Sequence, residues 1–142
     1  MNCESWLRPK KSRMTADNAF GLMSFCGARI RSGFDVVDEA LRLEQKIAAS
    51  DLILTGEGRL DAQTLEGKGP AGVAALARKN GKPVVAFAGS IMDDPALHTL
   101  FNATCALVDQ PVELAEAMHR GAEFLERAAR RAAQLILLGI AL

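Results

Sequence analysis

Short apolar runs alternate with segments of helical periodicity along most of this chain. Three runs, 52–55, 83–88 and 104–108, are too short for stable helices and almost continuously apolar, as strands buried on both faces are. The Ala-rich segment 71–80 lies between the first two runs and has helical character. Buried strands separated by helices predict an α/β fold, a Rossmann-like parallel sheet of about three strands with flanking helices.

Further helices are predicted before and after these strands. Apolar residues recur at helical spacing over 36–47, and Asp35 is suited to cap the N-terminus of one helix there. The segment 19–26 predicts a short helix. The segment from Pro111 to about Leu138 predicts one long closing helix.

Sequence character changes at about residue 15. Residues 1–15 are polar and basic, contain Pro9 and lack periodicity, which predicts an irregular N-terminal arm. Residues 16–142 contain no repeat, low-complexity tract or linker. We therefore expect them to form one domain, which is long enough to enclose a hydrophobic core.

Net charge and the length of the apolar runs exclude several kinds of partner, and the cysteines indicate the redox state of the thiols. The 17 basic and 17 acidic residues balance, so there is no electrostatic reason to expect nucleic acid or an anionic membrane surface. The longest apolar run, 135–142, is too short to span a bilayer. The three cysteines are odd in number and far apart, so we expect reduced thiols in a cytoplasmic protein, with Cys26 and Cys105 in the core.

The densest polar chemistry follows the first predicted strand. The segment from Thr55 to Asp61 reads Thr-Gly-Glu-Gly-Arg-Leu-Asp and is predicted to be a loop, because glycines and charged residues follow the apolar run. Neither a dinucleotide-binding fingerprint nor a P-loop fits, since Asp61 replaces the third glycine of the former and Ala62 the first glycine of the latter. Gly89-Ser90 follows the next strand, so both segments are expected to border one crevice at the ligand edge of the sheet.

Charged side chains in and after this segment are the candidate site residues. Arg59 and Lys68 supply positive charge, and Glu57 and Asp61 supply carboxylates. We expect these charges to point at a ligand and not at one another; the alternative is a turn with solvated charges. The residues expected to bring backbone and hydroxyl donors close to the ligand are Gly56, Gly58 and Ser90.

A second pair of carboxylates, Asp93-Asp94, has two interpretations. Adjacent acids are able to hold Mg²⁺, but an aspartate followed by a proline is also typical of a helix start. Pro95 favours the helix start.

Two stretches of the sequence are similar to a known family. Residues 51–73 read DLILTGEGRLDAQTLEGKGPAGV, and residues 82–90 read KPVVAFAGS. Both resemble consecutive signature segments of the bacterial glycerate kinase family of the two-domain type. The resemblance covers roughly residues 19–142 and only the C-terminal part of the family's chain.

The resemblance implies an ATP-dependent kinase that transfers a phosphoryl group to glycerate, with ATP and Mg²⁺ as cofactors. Its active site would lie between a Rossmann-like domain, of which this chain holds a part, and a second domain. Arg59 and Lys68 would bind phosphate or the glycerate carboxylate, and Asp61 would hold Mg²⁺ or accept the substrate hydroxyl proton. The remaining residues implied in substrate or phosphate binding are Gly56, Glu57, Gly58 and Ser90.

One departure from the family pattern changes the expected behaviour of the isolated chain. Family members are much longer, and the residues from Pro9 to Asn18 do not match the Gly/Ala-rich stretch that precedes the shared region. A truncated gene product, a misread start and a fragment are all compatible with this pattern. We expect the chain to be inactive alone and to need the missing kinase domain or to self-associate. The alternative is a non-catalytic remnant that binds an anion or a partner protein.

Overall fold

The computed structural model describes residues 13–66 and 69–140. The described residues up to Val36 and those from Val37 onward form two compact units, and this boundary lies inside the region predicted as one domain. Helix α1, Arg13–Cys26, belongs to the first unit and includes residues 13–15 of the predicted irregular arm. The rest of that arm lies outside the described residues.

The predicted helix over 36–47 is interrupted at Arg42. Helix α2 spans Gly33–Leu41, and helix α3 spans Leu43–Ala48. Arg42 has a φ of 51°, in the left-handed region, which an α-helix cannot contain. Asp35 lies in the first turn of α2 and does not precede it as a cap.

A parallel sheet of three strands forms the centre of the second unit, as far as the structure describes it. The strands are β1, Ile53–Leu60, β2, Val84–Ile91, and β3, Ala103–Ala106. Their order in the sheet is β1-β2-β3, which leaves β1 at one edge. The predicted α/β fold with a parallel sheet and flanking helices is therefore confirmed, although β1 and β2 run well past their predicted ends.

Side-chain alternation reverses once along β1 and β2. The strands pair in constant register, with Ile53 opposite Val84 and Leu60 opposite Ile91. Residues seven positions apart on a regular strand face opposite sides of the sheet. Ile53 and Leu60 nevertheless pack in the same core cluster, as do Val84 and Ile91. Each strand therefore turns over between its two ends.

Glycines permit the close approach of the two strands. A Cβ atom added to Gly56 would lie 2.4 Å from the carbonyl oxygen of Phe87, and one added to Gly89 would lie 2.7 Å from that of Gly58. Real Cβ atoms do not come so close to a backbone oxygen. The prediction of a glycine-rich loop is thus wrong, because these residues continue β1, where glycine serves strand pairing.

Helices cover both faces of the sheet. On one face α3 packs on α4, Gly69–Lys79, which contacts β1, β2 and α5, Pro95–Leu100. On the other face α7, Gly121–Ile140, packs on β2 and β3. The buried residues of the first face are Ile47, Ile53, Leu60, Ala74, Ala77, Val84, Ala86, Ala88, Leu97 and Phe101.

The predicted closing helix is two helices, α6, Leu114–His119, and α7. Asp109 follows β3 and forms ion pairs with two residues of α7, Arg127, at 3.2 Å, and Arg131. Burial disfavours the charged carboxylate, but the Arg131 hydrogen bond and the charge of Arg127 outweigh it and lower the pKa of Asp109.

Two further sequence expectations concern the burial of the cysteines and membrane-spanning helices. Cys105 on β3 is half-buried, and burial raises the pKa of its thiol, but Cys26 is exposed, so its assignment to the core is wrong. None of the described helices is both long and apolar enough to cross a membrane.

Candidate functional site

The polar residues predicted to lie in a loop occupy the last half of β1 and the turn after it. Glu57 and Arg59 are strand residues, and Asp61 follows the last one. Arg59 lies opposite Ser90 of β2 in the register. The structure thus places the polar ends of both strands side by side, at the carboxyl edge of the sheet where α/β proteins bind ligands.

Asp61 begins the turn, and each of its carboxylate oxygens has a partner. Oδ1 accepts a hydrogen bond from the backbone N–H of Gln63 at 2.9 Å, and Oδ2 lies 3.2 Å from Nε of Arg59. The expectation that Arg59 and Asp61 would not pair is therefore wrong. They lie two residues apart around one strand end, where opposite charges attract.

The ion pair between Arg59 and Asp61 is weak. The Arg59 side chain is 61% exposed, and exposed ion pairs stabilise a protein by only about 0–1 kcal/mol. Among the described residues, Met92 also contacts Arg59, with its sulfur 3.2 Å from Nη2. An anion at the strand end would therefore compete readily for the guanidinium.

Thr64 organises the turn, and the sequence interpretation missed it. It is fully buried at the start of a short 3₁₀ helix, Thr64–Glu66. Its hydroxyl donates to Oε1 of Glu57 at 2.5 Å and accepts from the backbone N–H of Asp61 at 3.2 Å. The signal in the sequence is an aspartate followed three residues later by a threonine, both of which favour turns.

Replacing Thr64 by valine is expected to lower the free energy of unfolding by about 1–2 kcal/mol. Valine keeps the shape but leaves the Asp61 N–H and the Glu57 carboxylate without this hydroxyl. Thr64→Ser keeps the hydroxyl and is the matched control. Urea unfolding measures both, and equal stability of the valine variant and the original chain would show that these two bonds do not hold the turn.

A cavity of about 570 Å³ lies at the carboxyl ends of β1 and β2. Its polar border includes Glu57, Gly58 and Ser90. A Cβ atom on Gly58 would meet nothing within 4 Å, so there is open space beside this backbone. The side chains from α6, α7 and the segment before them are mainly apolar and include Val112, Leu114, Met118, Phe124 and Leu125. The size suits a small-molecule ligand.

The other sequence candidates are placed differently. Gly56 does not line the cavity. Its backbone lies close to the Phe87 carbonyl of the neighbouring strand. Lys68 lies outside the described residues. Asp94 caps α5, since its Oδ1 accepts from the backbone N–H of Ala96 at 2.8 Å, which confirms the helix-start interpretation.

The described residues contain no group of three or more His, Cys, Asp or Glu side chains that could hold a metal ion. Magnesium usually keeps several waters and binds one or two carboxylates together with substrate phosphates. Thr64 bonds to both acids, to the Glu57 carboxylate and to the Asp61 backbone N–H. Two carboxylates so placed would suit only a magnesium ion that keeps several waters and also binds substrate phosphates.

Residues 18–137 match the model of the glycerate kinase family. The chain is 38% identical to Escherichia coli glycerate 2-kinase over 122 residues, which are 84% of this chain and 32% of that protein. It is 39% identical to Bacillus subtilis glycerate kinase over 121 residues, again 84% of this chain and 32% of the relative. The chain thus spans about one third of the length of these curated relatives.

A solved structure shows the same similarity in three dimensions. The crystal structure of a candidate glycerate kinase 2 from Salmonella typhimurium LT2 superposes with a TM-score of 0.67 at 37% sequence identity. The superposition covers 86% of this chain and 31% of that one. Sequence and fold therefore lead to the same group of proteins.

Proposed function

The chain belongs to the glycerate kinase family, and we propose on that basis that it forms part of an ATP-dependent kinase that converts glycerate to phosphoglycerate and ADP. The observation that carries this proposal is the family match over 18–137, which includes the polar strand ends of β1 and β2. Phosphoryl transfer needs cations on the moving phosphate and an oriented hydroxyl. The carboxyl edge of this sheet carries groups suited to both tasks.

Arg59 is the proposed anion-binding residue. Its planar guanidinium is able to bind a carboxylate or a phosphate through two parallel hydrogen bonds. Its present partner, Asp61, holds it only weakly because the guanidinium is mostly exposed to solvent. Lys68 is proposed as a second cation for the same ligand.

Asp61 is the proposed acceptor of the substrate hydroxyl proton, or a ligand to magnesium. The Gln63 N–H and the Thr64 hydroxyl bound to the Asp61 N–H fix the turn that carries this carboxylate. Gly58 and Ser90 border the cavity and would supply a backbone and a hydroxyl contact to substrate, with Glu57 beside them. Bound ATP would supply the phosphoryl group, and magnesium would neutralise charge on its phosphates.

The purified chain alone is expected to form no measurable phosphoglycerate. Its candidate site lies on an edge strand, and the chain spans about one third of the relatives that carry the activity in their names. Incubation with ATP, magnesium and glycerate, followed by mass spectrometry of the products, checks this expectation. Phosphoglycerate that disappears with an Asp61→Asn variant would contradict it.

A non-catalytic remnant is the second candidate function, because the chain matches only about a third of each relative. A graft enzyme distinguishes the two. Residues 18–137 of this chain replace the matched region of Escherichia coli glycerate 2-kinase, and phosphoglycerate formation is measured. The kinase proposal predicts turnover within about tenfold of the parent enzyme. A graft that folds like its parent but forms no product would favour the remnant.

The cytoplasmic location predicted from the odd number of cysteines belongs to the same proposal. A requirement for ATP agrees with it.

A further inference from the structure

A second cavity, of about 560 Å³, lies at the opposite end of the sheet from the candidate site. It is lined by Val84, the first residue of β2, and by Asn102, which precedes β3. The rest of its lining comes from α4, α5 and the segments that follow these two helices. It shares no lining residue with the cavity at the carboxyl ends of the strands.

Basic side chains from separate elements line this second cavity. Arg78 lies in the last turn of α4, Lys82 follows that helix, and His98 lies on α5. No aspartate or glutamate belongs to the described lining. The charged side chains of the described wall are therefore cationic.

Arg78 and Lys82 differ from the other arginines and lysines that the structure describes beyond α3. The others each form an ion pair with a carboxylate, and they are Arg59, Lys79, Arg120, Arg127, Arg130 and Arg131. Within the described part of the chain, neither Arg78 nor Lys82 has such a carboxylate partner, although Lys82 is half-buried. Two cations without a counterion at one cavity leave a place for an anionic ligand.

The carbonyl groups at the end of α4 do not need these cations. Basic residues are common near helix C-termini, where they bind the last carbonyls. Here α4 ends in a turn with Gly81 at a φ of 65°. The backbone N–H of Gly81 donates to the carbonyl of Arg78 at 3.0 Å. The backbone N–H of Lys82 donates to the carbonyl of Ala77 at 2.8 Å, so backbone donors satisfy both carbonyls.

The Arg78 guanidinium is held between two helices. Its Nη2 donates to the backbone carbonyl of Thr99 on α5, which uses one side of the guanidinium and leaves further N–H donors for a ligand. His98 is only loosely engaged, because its Nε2 lies 3.4 Å from Oδ1 of Asp93, a completely exposed side chain outside the cavity lining. An anion in the cavity would therefore displace little.

We propose that this cavity binds a phosphorylated small molecule, with its phosphate between Arg78 and Lys82 and with His98 as a third donor. Arginine binds phosphate through two parallel hydrogen bonds, and lysine binds it as a point charge. The cavity volume lies in the range of small-molecule sites. This site goes beyond the proposed kinase reaction and does not depend on it, since it lies at the other end of the sheet.

Histidine NMR of the full chain tests the site. The chain has two histidines, and His119 is the internal reference because it does not line the cavity. Inorganic phosphate is added at constant pH and ionic strength, and succinate, a dicarboxylate, is added in a parallel titration. We expect the ring signals of His98 to move and to saturate with phosphate, and to move much less with succinate.

Two matched variants locate the phosphate. Lys82→Gln removes one cation and is expected to raise the dissociation constant at least about tenfold, as loss of a hydrogen bond to a charged group does. Lys46→Gln is the control, because Lys46 is an exposed lysine on α3 that does not line the cavity. It changes the net charge equally and is expected to change the dissociation constant by less than about twofold. Both variants keep their backbone bonds and should keep the thermal midpoint.

Each outcome decides the proposal. Unmoved His98 signals, or equal weakening by Lys82→Gln and Lys46→Gln, would overturn it. Succinate that binds as tightly as phosphate would overturn the assignment of a phosphorylated ligand. Arg59→Gln, at the candidate site, should leave the His98 titration unchanged, and a titration lost in that variant would overturn the proposal by placing the phosphate at the carboxyl edge of the sheet.

Discussion

Replacing Asp61 by asparagine is expected to lower the turnover of the graft enzyme by at least about 100-fold, the range seen when a general base is lost. Asparagine keeps the side-chain oxygen that accepts the Gln63 N–H, so the turn is retained. It removes the negative charge that would accept a proton or hold magnesium. The thermal midpoint should change little, because the arginine of the lost ion pair is mostly exposed to solvent.

Asp51→Asn is the control for this exchange. Asp51 is exposed and lies just before β1, at the opposite end of the strand from the candidate site. Its replacement is expected to leave turnover within about twofold of the graft enzyme. Equal losses in both variants would mean that the effect arises from the fold and not from a carboxylate at the site.

Replacing Gly56 by alanine is expected to lower the free energy of unfolding of the chain by about 3 kcal/mol, the upper end of overpacking costs. The new Cβ would lie 2.4 Å from the Phe87 carbonyl oxygen, and backbone cannot move aside as a flexible side chain can. β1 and β2 would have to separate at the centre of their pairing. Urea unfolding monitored by circular dichroism measures the change.

Gly58→Ala is the matched control, two residues along the same strand. Nothing lies within 4 Å of its added Cβ, so the free energy of unfolding should change by no more than about 0.5 kcal/mol. In the graft enzyme, Gly58→Ala should weaken substrate binding more than Gly56→Ala does, because Gly58 borders the cavity. If the two alanine variants are equally stable, close strand approach is not the reason for glycine at position 56.

The order of strands and helices could be predicted from the sequence because each element has a clear local pattern. The apolar run at 83–88 has no alternation because Val84 to Ala88 are buried, on both faces of the central strand. The run at 52–55 also predicted a strand, but Leu54 is 60% exposed, so burial on both faces does not hold for β1. Asp94 followed by Pro95 predicted the start of α5 correctly, since capping depends on neighbouring residues alone.

The ends of β1 and β2 could not be predicted in this way. Glycine in a segment of charged residues usually indicates a loop, whereas here it permits a strand pair to approach closely. That role depends on the position of Phe87, thirty-one residues away in the sequence, and no local pattern records it. The break at Arg42 could not be predicted either. Arginine rarely adopts a positive φ, so nothing at this position indicated a helix end.

The sequence predicted a crevice at the ends of β1 and β2, but not which side chains line it or contact one another; Arg59 and Asp61 do not line the cavity. Glu57, Gly58 and Ser90 border one cavity, which agrees with the expected crevice at the strand ends. The pairing of Arg59 with Asp61 and the central position of Thr64 depend on the geometry of one turn. The roles proposed for these residues in catalysis stay predictions.

The most direct test of the central claim is the rate of phosphoglycerate formation by the graft enzyme at saturating ATP and glycerate, with and without Asp61→Asn. If residues 18–137 supply part of a glycerate kinase active site, the graft turns over within about tenfold of its parent and the variant is at least about 100-fold slower. A graft that unfolds at the same temperature as its parent but forms no phosphoglycerate, or that turns over equally well as the Asp61→Asn variant, would contradict the claim.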